Sequence, residues 1–195
     1  MSFKIEEVKN ILMKSMEDAC GLTAYKKTLN TNLITTDEYQ KNFTYYYKVR
    51  RDKSWLNNFY NYMNTIKNKK DISIDEILQT LSSWQHKVKK SKKHPTGLGT
   101  TIEISFASKL LATINTNYPI WDSQVVSALG ISSKLTSIDD YIIAYRKLTN
   151  IITELINSEA GKKAIKLFDT QFPNYIWVSN YKKIDFYLWN IGKTN

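Results

Sequence analysis

Apolar residues recur every three or four positions along almost the whole chain, and most runs open with a hydroxyl side chain followed by an acidic one. Ser2 precedes Phe3, Ile5, Val8, Leu12 and Met16, which predict a first helix to about Ala19. Thr35 with Glu38 makes a capping box for a second, to about Lys48. Ser54 is the expected cap of a third, where Trp55, Phe59, Tyr62 and Ile66 share a face. Ser73 with Glu76 opens a fourth, carrying Ile74, Ile77, Leu78, Leu81 and Trp84. After a break rich in lysine, proline and glycine, a helix is predicted from about Thr101 to Ile114 and a short one from Asp122 to Leu129, ended by Gly130. Ser137 with Asp140 starts a long helix to about Ile156, and Ser158 another to about Phe172. Ser179 starts a last one with Tyr181, Ile184, Leu188 and Ile191. No stretch alternates with the period of a strand. The pattern therefore predicts an all-α fold, one compact domain of about eight or nine helices over residues 1–195. The aromatic stripes are assigned to its core, because burial is the commoner fate of rings at helical spacing.

Composition narrows the chemistry. A chain of 195 residues with 42% hydrophobic content supports one sizeable core. Twenty-eight Lys and Arg against eighteen Asp and Glu leave a formal charge of +10. That excess favours an anionic partner, DNA or RNA, although it also serves solubility, so its location has to decide. One cysteine, Cys20, and two histidines, His86 and His94, exclude an internal disulfide and offer no zinc set. Neither a metal nor a cofactor is expected. Cys20 reads as a small buried side chain. Acidic residues follow the N-terminus where a signal peptide would be apolar, and no uncharged stretch approaches bilayer length. A cytoplasmic protein without a membrane partner is the expectation.

Two segments carry candidate chemistry. Five lysines occupy seven positions from Lys87 to Lys93, just before Pro95-Thr96-Gly97-Leu98-Gly99. If the glycine turn opens the next helix, its amides and the helix N-terminus hold a phosphate while Lys89, Lys90, Lys92 and Lys93 attract it. The glycines form neither a P-loop, since no Gly-Lys-Ser/Thr ends the run, nor a dinucleotide fingerprint, since no strand precedes them. The second segment is Tyr118-Pro119-Ile120-Trp121-Asp122-Ser123. Asp122 begins a helix there, a position that capping alone explains.

A helix, a Gly-Leu-Gly turn, a second helix and a proline-containing loop ending in an aspartate together resemble the helix-hairpin-helix DNA glycosylase superfamily, over about residues 84–130. The resemblance implies double-stranded DNA as partner, with Gly97, Leu98 and Gly99 on a phosphate and Asp122 assisting cleavage of a glycosidic bond. It places Trp121 at the wall of a base pocket, with Glu103 and Lys109 as further pocket groups. Residues 101–105 read Thr-Ile-Glu-Ile-Ser, so the lysine nucleophile of strand-cleaving members is missing and lyase activity is not expected. A lysine far along a helix, such as Lys109, is expected at the surface with its stem packed. Two other classes stay open: a non-catalytic nucleic-acid-binding protein in which Asp122 is only a cap, and a helical protein-interaction module. Asp185, among apolar residues near the C-terminus, is expected to pair with a lysine.

Overall fold

A computed structural model describes Asn10, Ile11 and residues 21–194, which are mostly helical as the sequence pattern requires. Asn10 and Ile11 are helical; the rest of the Ser2–Ala19 helix and Cys20 lie outside the described residues. The chain divides into two compact units, one spanning Thr23–Ile114 and the other holding Asn115 to the end.

The first unit contains α1 (Leu22–Thr28), α2 (Asp37–Tyr47), α3 (Lys53–Ile66), α4 (Ile74–Ser82), a two-stranded ribbon and α5 (Ile104–Ile114). Its core is aromatic. Phe43 meets Phe59 at 5.7 Å between ring centroids, and Trp55 meets Phe106 at 4.6 Å, edge to face. Tyr39, buried beside them, donates its hydroxyl proton to the Thr28 carbonyl at 2.8 Å. α1 has no start signal ahead of it in the sequence, and tertiary burial of Leu22 and Tyr25 stabilises it.

Helix starts follow cap geometry. Ser73 accepts from the Glu76 amide, as the sequence predicts. Two caps shift. The cap of α2 is Thr36 rather than Thr35, because Thr36 is extended and its Oγ1 accepts from the Tyr39 amide. The cap of α3 is Asp52 rather than Ser54, which lies inside the first turn. α4 ends at Ser82, so Trp84 stands beyond it, and α5 begins at Ile104 rather than Thr101. The intervening chain contains the only strands among the described residues, β1 (His86–Lys87) and β2 (Leu98–Gly99), antiparallel with His86 opposite Gly99.

The second unit holds α6 (Ser123–Ala128), α7 (Ile138–Asn157), α8 (Glu159–Gln171) and α9 (Asn180–Thr194). Ser137, Ser158 and Ser179 cap the last three through amides three residues on, as predicted. α9 packs on the other three helices, burying Ile184, Tyr187 and Leu188, and the Tyr187 hydroxyl donates to the Ala164 carbonyl at 2.9 Å. Asp185 pairs with Lys182, as expected, and buried Lys183 reaches Asp169 at 2.6 Å. Among the described residues, no helix is long and apolar enough to cross a membrane.

Gly192 lets α9 approach α6 closely: a Cβ built there would stand 2.0 Å from the Gln124 carbonyl oxygen. The obstacle is backbone and cannot rotate aside. Gly192→Ala is therefore expected to destabilise by about 1–3 kcal/mol and lower the melting temperature by several degrees. Thermal unfolding followed by circular dichroism checks this, and an unchanged midpoint would mean that α9 can slide.

Candidate nucleic-acid interface

The lysine-rich segment is a β-hairpin. Beyond the paired strands, the Val88 amide donates to the Gly97 carbonyl at 2.9 Å, and Ser91 and His94 exchange backbone hydrogen bonds at 3.2 and 3.1 Å. Lys92 and Lys93 occupy the corner of the tight turn so formed. Lys89, Lys90, Lys92 and Lys93 are all exposed, and no ion pair among the described residues involves them. Gly97, at φ +73°, takes a left-handed conformation that a side chain would strain, and the Lys90 stem lies 3.2 Å from where a Cβ would stand.

The glycine turn differs from the sequence expectation. The Gly97 amide donates to the His94 carbonyl at 3.0 Å and the Leu98 amide to Thr96 Oγ1 at 3.3 Å. Gly99 is buried beside the His94 ring and Val88, and Thr100–Glu103 separate it from α5. Gly97, Leu98 and Gly99 therefore shape the hairpin and do not open a helix. What the loop offers an anion is lysine ammonium groups.

The base of the ribbon is held by two residues that sequence reasoning did not single out. Asp52 caps α3 through Oδ1, which accepts from the Trp55 amide, while Oδ2 accepts from the Lys87 amide, both at 3.1 Å. These amides, Lys87 first, hold the carboxyl below its ordinary value. Arg51 makes a forked pair with Glu103, Nη2 reaching the two carboxylate oxygens at 2.7 and 2.8 Å. Its guanidinium also lies 5.2 Å from the Phe106 ring centroid. Glu103 is 3% exposed; burial pushes its carboxyl up, and Arg51 pulls it back. Buried His86 places Nε2 3.1 Å from Thr101 Oγ1. Glu103 thus footings the hairpin from inside, its oxygens engaged by arginine. A sequence signal for Asp52 was available, an aspartate three residues before the inward-facing Trp55.

Lys109 is buried rather than at the surface, because α5 is covered on nearly every side, and its ammonium donates to Ser105 Oγ at 2.8 Å. Trp121 and Asp122 belong to the other unit. Trp121 is 4% exposed and packs edge-on against Tyr141 at 5.6 Å, so nearly all of its surface is covered. Asp122 caps α6, Oδ1 accepting from the Gln124 amide at 2.9 Å.

Charge is divided as unevenly as the residues. Thr23–Ile114 carries sixteen Lys and Arg against seven Asp and Glu, a net of +9, while the remaining residues carry twelve against eleven. Among the described residues, no group of His, Cys, Asp or Glu could hold a metal ion.

Two measurements test this footing. Arg51→Ala strands a buried carboxylate and is expected to destabilise by about 3 kcal/mol, whereas adding Glu103→Gln recovers part of that loss in a double-mutant cycle of urea unfolding. Because the Asp52 carboxyl is depressed on folding, its ionisation stabilises the fold above its ordinary value, and that contribution is lost as pH falls through the depressed one. The stability gap between wild type and Asp52→Asn should then be widest near neutrality and shrink below about pH 4; a gap independent of pH would show that Asp52 acts only as a neutral acceptor.

Compared with protein-family models, curated proteins and solved structures, the chain finds no match.

Proposed function

We propose that this chain is a non-catalytic nucleic-acid-binding protein that grips the phosphate backbone of double-stranded DNA with its lysine hairpin. The observation that carries the reading is the hairpin tip: Lys89, Lys90, Lys92 and Lys93 are exposed, crowded and free of ion pairs among the described residues. Crowded like charges repel one another, so they gain most from a partner that neutralises several at once. A polyphosphate does this and releases its own counterions. The net of +9 on the same unit adds attraction at longer range.

Binding of this kind recognises phosphate and is indifferent to base sequence. It gives Asp122 the role of a helix cap and Trp121 that of a core residue. A base-pocket role would require Trp121 to leave its packing on Tyr141, whereas Asp122 engages one carboxylate oxygen with the Gln124 amide.

Fluorescence anisotropy with a labelled duplex over a range of salt tests the proposal. The logarithm of affinity should fall linearly with that of salt concentration, and replacing Lys89, Lys90, Lys92 and Lys93 by alanine should reduce the slope by up to roughly 3–4. Asp122→Asn should leave the affinity unchanged. No duplex binding by the wild type at low salt, or an unchanged slope in the lysine variant, would overturn the reading, while base release that disappears with Asp122→Asn would restore excision.

A further inference from the structure

α2 exposes a second basic feature, distinct from the hairpin. Lys41 and Tyr45, one turn apart, share a face of the helix, Lys48 follows in a left-handed C-cap that brings its ammonium over the Tyr45 ring, and all three are exposed. The other aromatic residues at this end of α2 turn inward. Phe43 and Tyr47 are buried, Tyr47 with its hydroxyl 3.2 Å from Thr113, and the Tyr46 ring lies on Tyr25 at 5.5 Å. Tyr45 is 68% exposed, the highest value for a large hydrophobic side chain among the described residues. The core makes no use of its ring. Only a cation attends it, the Lys48 ammonium, 4.3 Å from the ring centroid.

This group stands close to the hairpin along the chain. Four residues lead from Lys48 to Asp52, which holds the Lys87 amide, so Lys48 and Asp52 Cα atoms lie within about 14 Å of each other even if fully extended. Arg50, in that stretch, is exposed as well. A distance of this order spans a few nucleotides of one strand. A planar ring attended by cations, a few nucleotides from the base of the lysine hairpin, has the chemistry of a base-stacking platform: the ring takes the face of a base and the lysines take the flanking phosphates. Bases in a duplex already stack on each other and have no face to offer a tyrosine on a rigid helix. Unpaired bases do.

We infer that Tyr45, between Lys41 and Lys48, stacks an unpaired base, and that the preferred ligand is DNA with a single-stranded stretch beside the duplex held by the hairpin. The inference rests on the hairpin reading proposed above.

The experiment compares three labelled DNAs: a blunt duplex, a single strand of about 20 nucleotides, and a duplex with a single-stranded overhang, ample for a site of this kind. Each is titrated with wild type, Tyr45→Ala and Tyr45→Phe, whose exposed position should leave the melting temperature unchanged. Wild type should prefer the overhang duplex. Tyr45→Ala should weaken overhang and single-strand binding by about 5- to 100-fold and leave blunt-duplex binding within about twofold, while Tyr45→Phe keeps most of the affinity. Equal single-strand affinities for wild type and Tyr45→Ala, or an equal loss on all three DNAs, would overturn this inference and leave the hairpin reading standing. No binding of any of the three by wild type would overturn both.

Discussion

A carboxylate in the interior must be neutralised where it stands, and the first unit is arranged around meeting that demand at Glu103. Arg51 meets it from the linker between α2 and α3, with a two-pronged contact that fixes the guanidinium plane as well as its charge. The Glu103 amide donates to Ser82 Oγ at the end of α4, and the Glu103 carbonyl accepts from Ala107 in the first turn of α5. One residue thus connects a linker and the facing ends of two helices. With Arg51 held inward, its neighbour Asp52 comes to the start of α3 with an oxygen left over for the Lys87 amide. The hairpin, exposed and self-repelling at its tip, is steadied at its base by a chain of contacts that leads back to one buried charge.

The helices were legible in the sequence where one hydroxyl stood alone at the right distance from its target. Ser73, Ser158 and Ser179 are such positions, and each caps the helix assigned to it. Where two acceptors compete within three residues, as Thr35 with Thr36 or Asp52 with Ser54, spacing does not choose between them and backbone conformation does. The ribbon was illegible for another reason: paired strands of two residues are too short to show alternation. Its real signal is the turn, and lysine at the corner of a turn has no strong preference to reveal it.

The candidate site was half legible. Charge density located the lysines, which are exposed as a polyanion contact requires. It did not show that the Gly97 and Leu98 amides would be spent within the loop. For Lys109 the sequence misled: Ser105, Lys109 and Thr113 recur every four residues as a polar stripe on α5, yet packing covers that side as well, and Ser108, Lys109 and Thr113 are buried. For Tyr45 the clue was absent. Four aromatic residues stand among the last five of α2, and only packing separates the one that faces solvent from the three that do not.

The uneven division of charge acts before any contact is made. A net of +9 on one unit, with the other close to neutral, concentrates the positive charge of the chain on about half of its residues. Beyond the Debye length, about 8 Å at physiological ionic strength, a polyanion would meet little of this; inside it, the attraction would act mainly on the charged unit. For the partner proposed above, the rate of capture would then be more sensitive to salt than the contacts alone would make it.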